Sequence, residues 1–177
     1  MPAGLAFASV AAQRGHRVTL FEAAREIGGQ FNMARRIPGK EEFRETLRYY
    51  RRQLDLAGVD LRLGVDADAA MLRDFDAVVL ATGVRPREPE IEGLDHPKAL
   101  SYIDVLRNGA AVSSRVAIIG AGGIGFDVAE YLGHSPRDET EFPRPEEFAR
   151  QWGIDMSLGA RGGVEGVTAE PEPLARE

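Results

Sequence analysis

Two kinds of apolar run alternate along this chain. Short dense runs occur at His16–Glu22, Val59–Leu63, Asp76–Ala81 and Val116–Ile119, and each stops at an acidic residue or a glycine turn. Between them lie stretches with helical spacing: residues 2–14 closed by Gly15, Glu41 to Ala57 closed by Gly58, Tyr102 to Arg107, and a run from about Ile124 to Leu132 whose apolar face is Val128, Ala129 and Leu132. Dense β-branched runs alternating with amphipathic stretches predict an α/β fold with a parallel sheet of the Rossmann-like type. Ala70–Arg73 reads as a short helical turn, Arg85–Gly93 as an extended connector and Asn108-Gly109 as a turn.

The two ends break this rhythm. The first helix starts at once, with no strand before it, so the fold is expected to be truncated at both ends. The last 40 or so residues are rich in proline, glycine and charge, with Phe148, Trp152, Ile154, Met156 and Leu158 as their apolar anchors. A loop-like insertion and a frayed tail after Gly162 are expected. The division predicted is a partial first domain over residues 1–112 and the start of a second over 113–177.

The segment RVAIIGAGGIGFDVAEYL, Arg115 to Leu132, carries chemistry. Gly120, Gly122 and Gly125 satisfy G-x-G-x-x-G between a strand run and a helix run, where the first glycine permits a tight turn, the second lets backbone approach a pyrophosphate and the third lets helix and strand pack closely. Gly123 and Ile124 lie at the helix start, where N–H groups face an anion. Such a turn can also be purely structural. No acidic residue closes a second strand about 20 residues on, because His134 to Pro145 cannot be a central strand. A second half-site opens the chain: Pro2-Ala3-Gly4 reads as the end of a G-x-G-P-A-G turn, and Glu22 ends the next strand.

Composition narrows the function. The net charge of −6 and pI near 5.2 argue against general nucleic-acid binding. Arg44, Arg48, Arg51 and Arg52 interleave with Glu41, Glu42 and Glu45 and read as a solvated helix face with i,i+4 pairs. There is no cysteine, so no disulfide, thiol nucleophile or cysteine-held cluster belongs to this segment. His16, His96 and His134 are isolated from one another, and no metal site is expected. The N-terminus has neither signal-peptide nor membrane-span character, which leads to the expectation of a cytoplasmic protein with no membrane partner.

Together, the broken P-A-G turn, VTLFEA, EIGGQF, IPGKEEF, VVLATG and the complete glycine fingerprint resemble the two-nucleotide flavoprotein reductases. IPGKEEFRETLRYYRR, DHPKALSYIDVL, IIGAGGIGFDVAEYL and QWGID resemble more specifically the bacterial NADPH-dependent 2,4-dienoyl-CoA reductases, relatives of trimethylamine dehydrogenase, over Pro2 to about Gly163. The resemblance implies that NADPH passes hydride to FAD, serving reduction of 2,4-dienoyl-CoA in fatty-acid β-oxidation. FMN and an iron–sulfur cluster are implied only for a barrel and cluster segment of the same protein, the implied partner of this chain, which is expected to be inactive alone. No catalytic side chain is assigned here.

Carried over residue by residue, the resemblance implies FAD contacts at Ala3 and Gly4, at Glu22 through the adenosine ribose, at Gly28, Gly29 and Gln30, at Lys40, at Ala67 through backbone, and at Ala81, Thr82 and Gly83. Gly120, Gly122, Gly123, Ile124 and Gly125 would then hold the NADPH pyrophosphate. Taken alone, Glu22 and Lys40 would be ordinary exposed charges, and Ala81-Thr82-Gly83 a plain strand end. Two other readings stay open: a non-catalytic nucleotide-binding pseudo-reductase, and an electron-transfer subunit that partners a separate FMN barrel protein.

Overall fold

A computed structural model describes residues 2–134, 144–171 and 173–175. Most of the window expected to exclude a central strand, residues 135–143, lies outside the described residues, as do Met1 and the last two residues. The chain divides into two units, Met1–Ala110 and Ala111–Glu177.

The first unit contains α1 (Pro2–Gln13), β1 (Thr19–Glu22), α2 (Phe31–Ala34), α3 (Phe43–Leu56), β2 (Asp60–Leu63) and α4 (Tyr102–Leu106). Its centre is one parallel ladder in which Thr19 faces Asp60 and Glu22 faces Leu63. Two helices close in the same way before each strand begins. Gly15 (φ 93°) and Gly58 (φ 68°) take the left-handed conformation. The amides of His16 and Val59 then donate back to the carbonyls of Ala11 and Leu54 at 3.2 and 3.0 Å, which satisfies helix-end acceptors and turns the chain into the sheet.

Alternation along the strands decides what is buried. Val18 and Leu20 with Val59, Leu61 and Leu63 cover a cluster of Leu5 and Ala8 from α1, Leu47 and Leu54 from α3, and Ile27. Leu54 is only 1% exposed. Alternate residues serve the opposite face, where Phe21 meets the edge of Phe75 at 6.0 Å and the Arg62 guanidinium lies 5.4 Å from the Phe21 ring centre. At α4, Ser101 and Asp104 form a reciprocal capping box.

Two expected buried strands are absent as strands. Residues 76–81 and 116–119 are without ladder partners among the described residues, and Leu80 and Ile119 are 81% and 77% exposed. A dense apolar run supplies strand propensity, but a strand exists only where a neighbouring backbone accepts its hydrogen bonds.

The second unit contains α5 (Gly123–Gly133), α6 (Pro145–Trp152) and a short turn at Arg161–Gly163. On α5, Val128 and Leu132 are buried, but Ala129, expected on the same face, is exposed. The tail after Gly162 makes contacts among the described residues. Ala169 packs under Gly153, Glu170 N–H donates to the Arg150 carbonyl at 3.0 Å, and Ala175 N–H to that of Gly133 at 2.6 Å. Nor do the expected aromatic anchors bury themselves: Phe148 and Trp152 are exposed and pair with each other at 5.9 Å, while Ala149 is the buried residue of α6.

The QWGID segment is a compact turn. Gly153 ends α6 at φ 64°, where a methyl group would stand 2.9 Å from the Ala169 amide nitrogen. The Asp155 carboxylate then accepts from the Ser157 hydroxyl at 2.5 Å, the Ser157 amide at 2.9 Å and the Ala160 amide at 2.5 Å. These donors, the Ser157 hydroxyl foremost, hold the Asp155 carboxyl at about 2, below its ordinary 3.8.

Gly58→Ala, with open space around the added methyl but φ 68°, should cost about 1–2 kcal/mol in urea unfolding. Gly28→Ala, at φ 118° with Leu47 only 2.9 Å from the added carbon, should cost roughly twice as much. Because the folded pKa of Asp155 is depressed, its turn is fully supported above about pH 3.8 and loses that support as pH falls through about 2. The Ser157 and Ala160 amide resonances should therefore titrate near pH 2, and Asp155→Asn should abolish that titration.

Candidate functional site

In the first unit, Glu22 at the carboxyl end of β1, Ala67 shortly after β2, and Ala3 and Gly4 at the start of α1 are among the residues expected at a cofactor. The amides of Ala3 and Gly4 lie in the first turn of α1, where N–H groups have no partner within the helix. A methyl group at Gly4 would stand 3.3 Å from Ala81 Cβ and 3.6 Å from Leu20 Cδ1. The structure thus joins the opening turn to the Ala81-Thr82-Gly83 segment across 77 positions of sequence, and Gly83 takes φ 80° just beyond the contact.

Glu22 ends β1. Its carboxylate accepts from the Ala24 amide at 3.0 Å, and its carbonyl accepts from the Val65 amide at 3.1 Å, which leads directly to Ala67 after β2. An acidic group held at the strand terminus, beside a helix N-terminus, has the donor and acceptor chemistry that a nucleotide ribose and its phosphates require.

The EIGGQF turn divides its labour. Gly28 is buried and fills space against Leu47 and Asn32, so its lack of a side chain serves packing. Gly29 (φ 55°) and Gln30 are partly exposed, and their carbonyls receive the amides of Asn32, Met33 and Ala34. Lys40 is half-buried at the end of the Ile37–Lys40 turn, its amide donating to the Ile37 carbonyl at 3.0 Å.

In the second unit the glycines of the fingerprint separate by geometry. Gly120 takes φ 113°. Gly125 has no room for a side chain, because an added carbon would overlap the Gly120 carbonyl oxygen; the turn closes on itself there. Gly122 and Gly123 have nothing within 4 Å of an added carbon. Gly122 caps α5 in an extended conformation, and the amides of Gly123, Ile124 and Gly125 form the first turn beyond it. The arrangement is a tight, open-fronted cradle of N–H groups with the positive end of an 11-residue helix behind it.

Among the described residues no group of three or more histidine or acidic side chains could hold a metal ion, and no helix is long and apolar enough to cross a membrane. Sequence reading missed one feature: Arg25, Asn32, Arg35 and Arg44 converge on a single cleft. Its only signal was a local excess of arginine in an acidic chain.

Comparison with known proteins agrees with this geometry. The family model of pyridine nucleotide-disulphide oxidoreductases matches residues 2–143. The chain is 37% identical over 151 residues to a bilirubin reductase of Mediterraneibacter gnavus, covering 84% of this chain and 24% of that protein. It is 37% identical to a cinnamate reductase of Clostridium sporogenes, covering 78% and 21%. A solved 2-naphthoyl-CoA reductase in complex with 2-naphthoyl-CoA superposes with a TM-score of 0.71 at 35% identity, over 74% of this chain and 20% of that one. The chain therefore spans a quarter or less of the length of these relatives. It belongs to the pyridine nucleotide-disulphide oxidoreductase family, whose members bind FAD and use NAD(P)H.

Proposed function

We propose that this chain is the electron-intake segment of a longer flavoprotein reductase, holding FAD in the first unit and NADPH at the Gly120–Gly125 turn, and serving reduction of a 2,4-dienoyl-CoA. The observation that carries the nucleotide assignment is the split among the glycines: Gly125 is closed by the Gly120 carbonyl, whereas Gly122 and Gly123 front open space at a helix N-terminus. A merely structural turn has no use for that opening. The acyl-CoA class draws support from the naphthoyl-CoA reductase neighbour, solved in complex with an acyl-CoA, and the dienoyl chain from the IPGKEEF and QWGID resemblance.

FAD, when bound, would accept a hydride from NADPH and release electrons onward. The chain's own residues orient and neutralise. Ala3 and Gly4 present helix-start amides to a pyrophosphate, Glu22 accepts from ribose hydroxyls, and Gln30, Lys40, Ala67 and Ala81–Gly83 border the same ligand. Gly120 to Gly125 do the same for the second nucleotide.

An electron-transfer subunit docked on a separate FMN barrel protein is a second reading. The exposed apolar runs around Leu80 and Ile119 favour it, since they need cover from another backbone.

The test is flavin reduction followed by stopped flow in the FAD-loaded protein that contains this chain. Gly122→Glu, which places a carboxylate in open space at the helix start, should weaken NADPH affinity at least about tenfold while leaving flavin content unchanged. Gly125→Ala should lower both affinity and thermal stability. Unchanged NADPH affinity in Gly122→Glu would sink the assignment.

A further inference from the structure

We infer that the first unit carries a second, unassigned anion site: a cleft of about 390 Å3 between residues 25–35 and α3 that accepts a small phosphate ester bearing a free hydroxyl. None of the residues proposed above for FAD lines it. Its walls include Arg25, Arg35, Arg44, Arg48 and Arg51 against the single carboxylate of Glu26, with Leu47 and Leu63 as an apolar floor.

The charges do not cancel. Arg35 lies 3.8 Å from Glu26, Arg48 is held by Glu45 at 2.5 Å, and Arg51 lies 3.9 Å from Asp55. Arg25 and Arg44 have no ion pair with any described residue. Two uncompensated guanidinium groups in one cleft of an acidic chain match the charge of a phosphate monoester dianion, and guanidinium is the side chain best shaped for it.

Buried polar atoms refine the ligand. Arg35 Nε and Arg44 Nε are buried donors with no partner among the described residues, a costly state that a shift of either side chain toward an anion in the cleft would relieve. A solvated helix face, expected for Arg44 from its neighbours, does not produce such an atom. Asn32 adds the complementary demand. Its amide nitrogen donates to the Ile27 carbonyl at 2.9 Å, which fixes the side chain, and its Oδ1 is buried without a donor among the described residues. A fully ionised phosphate has no proton to give Oδ1, whereas a sugar hydroxyl does. The volume lies within the range of small-molecule pockets.

Isothermal titration of the 177-residue chain at low salt with ribose 5-phosphate, inorganic phosphate and ribose tests this. Ribose 5-phosphate should bind, inorganic phosphate about tenfold more weakly, and ribose not measurably. Arg25→Gln, at an exposed position that leaves the core alone, and Arg44→Gln should each weaken ribose 5-phosphate about tenfold or more. Asn32→Ala should bring ribose 5-phosphate down to the level of inorganic phosphate. Lys98→Gln, at an exposed position outside both the cleft and the residues proposed for FAD, should change nothing, whereas displacement of ribose 5-phosphate by added FAD would locate binding at the FAD side and overturn the inference. Absence of binding, equal affinity for phosphate and ribose 5-phosphate, or indifference to both Arg25→Gln and Arg44→Gln would also overturn it.

Discussion

The packing of α1 and α3 in the first unit hangs on one face of a two-strand parallel ladder. β1 and β2 each turn only a few side chains toward the helices, so α1 and α3 must share that strip, and they do so by interlocking Leu5 and Ala8 with Leu47 and Leu54. Sharing requires close approach. Gly4 and Gly28 supply it, one where α1 meets Leu20 and Ala81, the other where the chain leaving β1 meets Leu47 of α3. The same contacts fix the amides of the α1 start and the Glu22 carboxylate at one end of the ladder, so packing and the geometry of the proposed FAD site are set by the same few atoms.

This explains which parts of the fold were legible in the sequence. Helices closed by Gly15 and Gly58, the helix starting at Tyr102 and the ladder residues Leu20, Leu61 and Leu63 depend on local chemistry and alternation, and they stand where the pattern puts them. The runs at 76–81 and 116–119 have equally strong strand composition, yet their state depends on a backbone partner that no local pattern encodes. Small residues misled in the other direction. Ala149 and Gly153 hold the second unit together through proximity to neighbours, while the larger Phe148 and Trp152 stay outside. Likewise, the Gly120–Gly125 motif was visible as spacing, but only three dimensions distinguish Gly125, blocked by a carbonyl, from Gly122, facing nothing.

Charge was the least legible property. Along α3 the arginines and glutamates alternate as a solvated face would, and Arg48 with Glu45 and Arg51 with Asp55 behave that way. Arg44 sits one turn earlier and lines the same cleft as Asn32 and Arg35, so part of its environment comes from residues outside its own helix. Periodicity describes a helix's own surface and says nothing of what is laid against it.

The glycine closures of α1 and α3 also govern how the chain can change length. Only one residue separates Gly58 from the first residue of β2, and three separate Gly15 from that of β1. An inserted residue in either joint would rotate the following strand by one position and present Arg62 or Phe21 to the helices in place of its leucines. In the stretch after β2, where the backbone is irregular and exposed, an added or lost residue would leave the ladder register untouched.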